Sequence, residues 1–395
     1  MAEASLYVLR GHRSDVNTMC LNDDTNVLVS GSEDGFVRLW DLERERRSFK
    51  CAKRNEGAIT SVSLDPSNEM NLFVAAGKNI YQYDLRVPNV VMTSTEATFG
   101  FKSRRKKKEI DELPDEINRV DCHRDGTLIV AASDSGETIV FDVKKSAQGL
   151  RPRYVHSNIC TAVEWRPNTS RHVYTSGAMD CSVIGWDYDI KREFGHIEMN
   201  SAAEKKSSQL FNPPFVHSLA YSGDGKIFAA ALGDGTVGVY DANTYESACV
   251  EETRLEGHNT ATCEVKFSRF DMKGVYGLLS ACQSESILFR RLCLVEDAAA
   301  DDDNDGIVVK DTSEKTTNST SASPQSKKSH RRRKRKKKKK KKREMIPAVK
   351  KLKSEIVLRL NHSQKINCLE TTKSGHVIVA DTSSEIHIYS GLISS

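Results

Sequence analysis

One run of charged residues stands out among the side chains whose type and spacing could do chemistry. Residues 331–343 are 13 consecutive Lys and Arg. Adjacent cations repel one another and stay solvated, and such runs are typical of nuclear or nucleolar import signals and of non-specific contacts with nucleic-acid phosphates. No aromatic residue is interleaved, so the run offers no surface for stacking bases. We therefore predict an import signal, with nucleic-acid binding as the alternative; the candidate residues are Arg331, Arg332, Arg333, Lys334, Arg335 and Arg343.

The basic character of the chain is local. The formal net charge is +5, but the residues outside the 13-cation run sum to −8. A shorter basic cluster at residues 102–108, KSRRKKK, is either a second import cluster or an ordinary solvated loop. The rest of the protein is therefore mildly acidic, and a nucleic-acid partner would have to be bound by the insertions.

Motifs for metal binding and catalysis are incomplete or missing in the sequence. Asp301, Asp303, Asp305 and Gly306 imitate the start of an EF-hand loop, but Thr312 stands where the loop needs a bidentate Glu. The sequence contains no G-x-S-x-G, P-loop or H-E-x-x-H motif and no C-x-x-C pair. We expect no enzyme, no cofactor and no metal, and we interpret the ten cysteines as reduced thiols of a cytosolic or nuclear protein.

Polar residues at fixed spacing are embedded in a strand–turn–strand pattern at residues 27–41. Apolar residues alternate along both arms, and Asp34-Gly35 lies between them. Glycine adopts a positive φ without steric cost, so this pair suits a hairpin turn. Gly11-His12 precedes the first arm, Ser30 lies within it, and Trp40-Asp41 closes the second. The elements that must position His12, Ser30, Asp34 and Trp40 are thus β-strands and their turns.

The same pattern recurs along the chain. His156, Ser176, Asp180 and Trp186 stand at nearly the same offsets as the first four residues. A fifth unit keeps His217, Asp234 and Tyr240, with Ala230 in place of the serine, and a sixth keeps Gly257-His258. Seven aromatic residues close the second arms of successive units: Trp40, Tyr83, Phe141, Trp186, Tyr240, Phe289 and Tyr389.

These repeats resemble the WD40-repeat family, and the resemblance covers nearly the whole chain apart from its insertions. In that family the His, Ser, Asp and Trp are linked by hydrogen bonds inside one blade, and we call each such set a tetrad. The resemblance implies an all-β fold, a single seven-bladed β-propeller. Tetrad residues support the scaffold, so they predict the fold of the protein and leave its function open.

The repeats also predict the domain organisation. The final unit lacks an outer strand, and residues 5–9 precede the first Gly-His, so we predict that this N-terminal strand completes blade 7 and closes the ring. Residues 1–296 then hold blades 1–6, and residues 354–395 hold the outer strand of blade 6 and blade 7. Residues 297–353 between them, acidic then Lys/Arg-rich, are predicted to be disordered. Segments 99–113 and 197–209 fit no strand of the repeat.

A short motif suggests one partner. Tyr83-Asp84-Leu85-Arg86 resembles the W/Y-D-x-R motif of WD40 proteins that dock onto the damage-binding adaptor of cullin-4 ubiquitin ligases. The resemblance implies that Arg86 contacts the adaptor and that Asp84 holds the strand end. The preceding arm lacks the turn Asp of the fuller motif, and the equivalent positions of units one and four, Glu43 and Asp189, are acidic. The alternative is an ordinary exposed Arg after a strand.

Two functions follow as hypotheses from these observations. The first is a non-enzymatic protein-interaction scaffold that serves as a substrate receptor of a cullin-4 ligase. The second is a nuclear or nucleolar scaffold associated with nucleic acid, for example in ribosome assembly. We expect a monomer in the nucleus, the nucleolus and the cytoplasm. We expect no membrane segment or secretory signal, because no window approaches eighteen apolar residues and the N-terminus has no apolar core.

Overall fold

The computed structural model describes residues 5–22, 25–43, 46–52, 57–68, 70–86, 91–92, 99–100, 115–143, 156–200, 212–249, 254–270, 275–294 and 351–392. These residues form seven β-sheets and contain no helix. None of the described segments therefore is a helix of the length and apolarity needed to cross a bilayer. The architecture is all-β, as the sequence predicted.

The first four sheets follow one another along the chain. Blade 1 contains β2 (Val16–Asn22), β3 (Val27–Ser32), β4 (Val37–Asp41), β5 (Arg46–Ala52) and β9 (Val91–Met92). Blade 2 contains β6 (Ile59–Leu64), β7 (Asn71–Ala76), β8 (Asn79–Asp84) and β10 (Phe99–Gly100). Blade 3 contains β11 (Ile117–Cys122), β12 (Leu128–Ser133) and β13 (Thr138–Asp142). Blade 4 contains β14 (Cys160–Trp165), β15 (Val173–Ala178), β16 (Ser182–Asp187) and β17 (Arg192–Glu198).

The last three sheets complete the set. Blade 5 contains β18 (Val216–Tyr221), β19 (Ile227–Leu232), β20 (Val237–Asp241) and β21 (Arg254–Leu255). Blade 6 contains β22 (Thr262–Phe267), β23 (Val275–Cys282), β24 (Ser286–Leu294) and β25 (Leu352–Asn361). Blade 7 contains β26 (Ile366–Thr371), β27 (Val377–Asp381), β28 (Glu385–Ser390) and β1 (Ser5–Arg10).

The innermost strand of each blade packs against the innermost strand of the next, and β26 packs against β2, so the seven sheets form a closed ring. We call the side of the ring at which the innermost strands begin, at Val16 in blade 1, the upper face. The side at which they end, at Asn22, is the lower face. Because the strands within a blade alternate in direction, the third strand of each blade also ends on the lower face.

The hydrophobic core lies between neighbouring sheets. Seven clusters of buried apolar residues occupy the seven junctions, and each draws on two adjacent blades. Between blades 1 and 2, for example, Val29 and Leu39 pack with Ile59 and Leu72, all 0–1% exposed. A single four-stranded sheet cannot bury both of its faces, so each blade depends on its neighbours for stability.

The N-terminal strand closes the ring, as predicted. β1 pairs antiparallel with β28 from Ser5↔Ser390 to Arg10↔Glu385. Leu9 is 2% exposed and belongs to the cluster between blades 7 and 1, whereas Leu6 is 55% exposed. The two ends of the described chain are therefore joined in one sheet, which removes an exposed edge.

A β-bulge recurs at the second residue of every innermost strand and links each blade to the next. In blade 1 the register shifts between Val16 and Thr18, and the bulged Asn17 donates from Nδ2 to Ile59 O of blade 2 at 3.2 Å. The equivalent bond to the next blade is present in six of the seven described blades; its bulged residues are Asn17, Thr60, Asn118, Thr161, Cys263 and Asn367.

The bulge corrects the assignment of His217. This residue is the bulged residue of β18, equivalent to Asn17, and does not occupy the tetrad position that precedes the strand. Four residues before the start of β18, where blade 1 has His12, the chain has Asn212. The error arose because spacing in the sequence does not distinguish a loop histidine from one at the start of the strand.

Three further expectations change in detail. Phe99–Gly100 pairs with β8 as the outer strand of blade 2, although segment 99–113 was expected to hold no strand. Ile197 likewise belongs to β17. In blade 6 the register places Arg290, and not Phe289, at the position of Trp40. Outer strands are held mainly by backbone pairing and carry little apolar pattern, so the sequence gives a weak indication of them.

The predicted insertion lies almost wholly outside the described residues. The structure describes none of residues 295–350, so the prediction of disorder over residues 297–353 is untested. β25 begins at Leu352 and pairs with β24, which supplies blade 6 with its outer strand from beyond the insertion. Its start falls two residues inside the predicted boundary, because pairing with Leu294 extends the strand backward.

Candidate functional site

The tetrad of blade 1 is joined by hydrogen bonds. Trp40 donates from Nε1 to Ser30 Oγ at 2.8 Å, and His12 Nε2 lies 2.7 Å from the same oxygen. The second ring nitrogen, His12 Nδ1, lies 3.4 Å from Asp34 Oδ2, which also accepts from the Arg13 backbone N–H at 2.9 Å. Gly35 follows Asp34 with φ of +79°, the conformation that the Asp-Gly turn requires. The structure thus brings together all four residues selected by spacing.

The tetrad of blade 4 has the same arrangement. Trp186 donates from Nε1 to Ser176 Oγ at 2.8 Å, and His156 Nε2 lies 2.8 Å from that oxygen. His156 Nδ1 lies 3.1 Å from Asp180 Oδ2 and 2.9 Å from Ser182 Oγ. Each tetrad connects the loop before the innermost strand to the second and third strands of its blade.

The tetrads combine the groups of a Ser-His-Asp catalytic triad in a place that no substrate can reach. Ser30 is 0% exposed, and its hydroxyl oxygen is engaged by both an indole and an imidazole. Burial lowers the pKa of His12 below its ordinary value. Burial alone would raise the pKa of Asp34, but its hydrogen bonds to His12 and to backbone N–H groups hold that pKa well below its usual range. The tetrads therefore stabilise the blades.

Blade 6 contains a partial tetrad, which the sequence indicated only by Gly257-His258. His258 Nε2 lies 2.8 Å from Ser280 Oγ, and Nδ1 lies 3.2 Å from Ser286 Oγ. Arg290 replaces the tryptophan and donates to Glu256 O. The histidine position is therefore retained, while the tryptophan position holds a cation that donates to a backbone carbonyl.

Blade 7 contains a variant tetrad that sequence reasoning missed. His362 Nδ1 lies 2.7 Å from Tyr389 OH, and His362 Nε2 lies 2.6 Å from Asp381 Oδ2. His362 precedes β26 by four residues, as His12 precedes β2, and this spacing could have revealed it. The tyrosine hydroxyl replaces both the indole N–H and the serine, because it reaches the imidazole directly.

Arg86 lies on the lower face, just after β8, with 64% of its side chain exposed. Its guanidinium forms a fork onto Asp84: Nη2 donates to Oδ2 at 2.6 Å and Nε donates to Oδ1 at 2.9 Å. The Arg86 backbone N–H also donates to Asp84 Oδ1, at 2.9 Å. Asp84 therefore caps the turn and orients the arginine. Hydrogen bonding and the charge of Asp84 raise the pKa of Arg86, so the guanidinium is a permanent cation.

Tyr83, unlike the docking candidates Asp84 and Arg86, is buried. It pairs with Leu72 as Trp40 pairs with Leu28, and it is 0% exposed within the cluster between blades 1 and 2. A partner on the lower face cannot touch a side chain buried in this way. Of the three docking candidates, only Asp84 and Arg86 are available at the surface.

The turns after the third strands of blades 1, 4 and 5 share the capping Asp and lack the arginine. Asp41, Asp187 and Asp241 accept from backbone N–H groups two residues further along the chain, at 3.1, 3.0 and 2.7 Å. The residues that correspond to Arg86 there are Glu43, Asp189 and Asn243. Among these four described turns, only that of blade 2 presents a cation at this position.

The central channel contains a buried network of charges, which sequence reasoning did not predict. Arg119 of blade 3 pairs with Glu264 of blade 6 at 3.6 Å. Lys266 of blade 6 and Arg269 pair with Glu370 of blade 7, at 2.9 and 3.3 Å. A cavity of about 400 Å³ opens beside them; its lining includes Asn22, Asp65, Asp121, Glu164, Lys266 and Glu370. These ion pairs link blade 3 to blade 6 and blade 6 to blade 7, so cations and carboxylates from different blades neutralise one another in the channel.

The channel carboxyls differ in pKa because their cationic neighbours differ. Desolvation raises the pKa of Glu164 to about 8, despite the nearby Lys266 and Arg119. Desolvation acts on Glu370 too, but Lys266 and Arg269 outweigh it and lower the pKa of that carboxyl. Glu164 therefore keeps its proton to a higher pH than Glu370 does.

Two groups of described residues have the donor atoms to hold a metal ion. One is His123, Asp125 and His172 on the lower face, and the other is His362, Asp381 and His387 within blade 7. His362 is already committed to Tyr389 and Asp381 in the variant tetrad. Burial alone would lower the pKa of His172, but its hydrogen bonds to Asp189 and Asp125 outweigh burial and raise that pKa.

The candidate import residues Arg331, Arg332, Arg333, Lys334, Arg335 and Arg343 lie outside the described residues. The same holds for the cluster at residues 102–108. The nuclear and nucleic-acid hypotheses therefore still rest on the sequence.

Comparison with known proteins agrees with the repeats. Residues 3–41 and 206–241 match the WD40 family model, "WD domain, G-beta repeat". The chain is 27% identical over 254 residues to a WD repeat-containing protein 53 homolog of Dictyostelium discoideum, covering 60% of this chain and 65% of that protein. It is 25% identical over 195 residues to a ribosome biogenesis protein WDR12 homolog of Oryza sativa subsp. japonica, covering 46% and 44%. The chain thus spans less than two thirds of these relatives.

A solved structure supports the same fold. The crystal structure of the WD40 β-propeller domain of Doa1 superposes with a TM-score of 0.64 at 14% identity, over 99% of this chain and 98% of that one. At this identity the likeness concerns architecture alone. The matched repeats, the tetrads of blades 1 and 4 and the closed ring of seven sheets lead to one assignment: the chain is a seven-bladed β-propeller whose repeats are similar to those of the WD40 family.

Proposed function

We propose that this protein is a non-enzymatic interaction scaffold, and more specifically a substrate receptor that docks onto the damage-binding adaptor of a cullin-4 ubiquitin ligase through Arg86. WD40 propellers are in general scaffolds for protein interaction. The observation that carries the specific proposal is the Arg86–Asp84 fork on the lower face. Loops on a rigid ring are well suited to binding, because their geometry is fixed before a partner arrives.

The fork supports docking because Asp84 holds the Arg86 guanidinium in place and leaves some of its N–H donors unused. Asp84 engages Nε and Nη2 of Arg86, whereas Nη1 has no hydrogen-bond partner among the described residues. A guanidinium carries five N–H donors, so donors remain for an acceptor on a partner. The side chain is also pre-oriented, so binding would lose little rotamer freedom. Arginines placed in this way are frequent energetic centres of protein interfaces.

The test is recovery of the adaptor and of cullin-4 with tagged chain from cells, for the wild type and for Arg86→Ala. The matched control is Arg10→Ala. Arg10 is also an exposed arginine, paired with Glu385 at 2.6 Å, but it ends β1 on the upper face. We expect Arg86→Ala to lose adaptor and cullin-4 together while Arg10→Ala keeps both. Equal recovery from all three proteins would remove the docking proposal.

A second candidate function is favoured by the 13-cation run at residues 331–343. We propose, as the alternative, a nuclear or nucleolar scaffold associated with nucleic acid; among its relatives is a protein whose name places it in ribosome biogenesis. Phosphate contacts by such a run would be steeply salt-dependent. Nuclear and nucleolar location, with a cytoplasmic pool, is part of the same proposal.

Deletion of residues 331–343 separates the two roles of the run. If nuclear import fails while RNA recovered per nuclear molecule is unchanged, the run serves only as an import signal. If salt-dependent RNA binding disappears with the deletion, the nucleic-acid function gains support. The matched control keeps all 13 cations and shuffles the order of the run and its flanking residues. It should behave as the wild type in both assays, because the charge is preserved.

A further inference from the structure

Four polar side chains from two neighbouring blades meet on the lower face. His123 and Asp125 lie in the turn after β11 of blade 3. His172 lies just before β15 and Asp189 just after β16, both in blade 4. One donor atom from each of His123, Asp125 and His172 lies within 4.8 Å of the other two. Imidazole nitrogen and carboxylate oxygen are the ligands of most protein zinc sites that contain no cysteine.

Asp125 lies between the two imidazoles. Its Oδ1 is 2.9 Å from His123 Nδ1, and its Oδ2 is 3.3 Å from His172 Nε2. Zinc bonds of about 2.0–2.1 Å in a tetrahedron put ligand atoms roughly 3.3–3.4 Å apart. The two spacings to Asp125 are close to these values, and the ligand nitrogens of the two histidines lie within 4.8 Å of each other. Thr127 fixes the carboxylate by donating to Oδ1 from its backbone N–H at 2.9 Å and from its hydroxyl at 2.6 Å.

Asp189 fixes the orientation of His172. His172 Nδ1 lies 2.7 Å from Asp189 Oδ1, and the His172 backbone N–H donates to Oδ2 at 3.2 Å. Asp189 accepts the ring proton of Nδ1, so Nε2 is the nitrogen that an ion would bind; it lies 3.3 Å from Asp125 Oδ2, its hydrogen-bond partner when it carries a proton. A carboxylate behind a ligating histidine is a common feature of metal sites, and a cation between Nε2 and Asp125 would take the place of the proton that joins them.

His123 presents its Nδ1 to this group of side chains. The residue is 4% exposed, and the other ring nitrogen, Nε2, is buried with no hydrogen-bond partner among the described residues. Coordination of an ion through Nδ1 would fix the ring proton on Nε2. Asp125 and His172 remain 41% and 29% exposed at the side chain, so an ion can enter from solvent.

We propose a zinc site on the lower face, with His123, Asp125 and His172 as ligands, Asp189 as the residue that orients His172, and a fourth position open to solvent. The two imidazoles favour zinc over calcium or magnesium, which prefer oxygen ligands. The ion joins the turns of blades 3 and 4 that flank the channel. The site is independent of the docking function proposed above.

The test is zinc titration of the full chain, freed of metal by a chelator, by calorimetry and by metal analysis after dialysis. We expect one bound zinc that is lost in His172→Gln, and roughly 10–100-fold weaker binding in Asp189→Asn, where the ligands are intact. His196→Gln, a histidine on β17, should bind as the wild type. Cobalt should give the intense visible absorption of a four-coordinate ion with the wild type and not with His172→Gln.

Two outcomes would overturn the proposal. The first is no bound zinc in the wild type at about 100 µM free metal, well above the dissociation constants of protein zinc sites. The second is zinc bound equally by the wild type and by His172→Gln, which would place the metal on other residues, including cysteines. Circular dichroism of each variant shows whether it is folded, and Asp189→Asn keeps the test decisive if His172→Gln does not fold.

Discussion

Ring closure by the N-terminal strand predicts opposite results for two leucines of β1. Leu9 is 2% exposed and packs with Val16, Trp40 and Ile386, whereas Leu6 on the same strand is 55% exposed. Leu9→Ala removes buried methyl groups and leaves a cavity between blades 7 and 1. Such changes cost about 2–5 kcal/mol, and a terminal strand can relax, so we expect a loss of about 2–3 kcal/mol. Leu6→Ala should change the free energy of unfolding by less than about 0.5 kcal/mol.

The assay is equilibrium unfolding in urea, followed by tryptophan fluorescence and by circular dichroism. With an m-value of about 2–3 kcal/mol/M, the Leu9→Ala midpoint should fall by about 1 M, while the Leu6→Ala midpoint should coincide with the wild type. Equal midpoints for all three proteins would mean that β1 is not docked on β28. A larger loss in Leu6→Ala than in Leu9→Ala would mean that the strand is paired one residue out of register, because such a slip exchanges the two faces of the strand.

Three other predictions concern single positions. Ser176→Ala leaves the indole and imidazole of its tetrad without their shared partner, so the free energy of unfolding in urea should fall by about 2–3 kcal/mol; a loss under about 0.5 kcal/mol would contradict a cooperative tetrad. Gly225 has φ of +68° and faces the Pro167 carbonyl of blade 4, so Gly225→Ala should lower the free energy of unfolding by about 1–3 kcal/mol. The control Gly223→Ala, where a Cβ would meet open space, should be nearly neutral. Equal effects of the two substitutions would contradict the contact with Pro167. Glu164 has a pKa of about 8 in the folded protein and about 4.5 in the unfolded chain, so between these pH values the folded state binds more protons. The contribution of Glu164 to the free energy of unfolding therefore falls as the pH rises through this range. Relative to wild type, Glu164→Gln should therefore gain about 1–3 kcal/mol from pH 5 to pH 8 in urea unfolding, and a flat difference would contradict the raised pKa.

The tetrads of blades 1 and 4 could be predicted because residue type and spacing act together. His12, Ser30, Asp34 and Trp40 lie on one blade, so their contacts follow from strand alternation and turn length. The prediction was wrong for His217. Its spacing suggested the tetrad position in the loop before the innermost strand, but the residue is the bulged residue of β18 itself. The prediction was also wrong for blade 6, where Phe289 is adjacent to the true tryptophan position at Arg290.

Contacts across the ring could not be predicted from the repeat pattern. The channel pair of Arg119 and Glu264 joins blades 3 and 6, and the sequence contains no rule for which inner strands face each other. The residues of the proposed zinc site likewise come from turns of two blades, so they form no spacing motif. Arg86 was found by its motif, but the burial of Tyr83 within that motif appears only in the register of β7 and β8.

The most direct test of the proposed function is the affinity of the purified chain for the purified cullin-4 damage-binding adaptor. We expect measurable binding by the wild type, binding at least about tenfold weaker for Arg86→Ala, and unchanged binding for the matched upper-face variant Arg10→Ala. No binding by the wild type, or the same dissociation constant for Arg86→Ala as for the wild type, would contradict docking through Arg86.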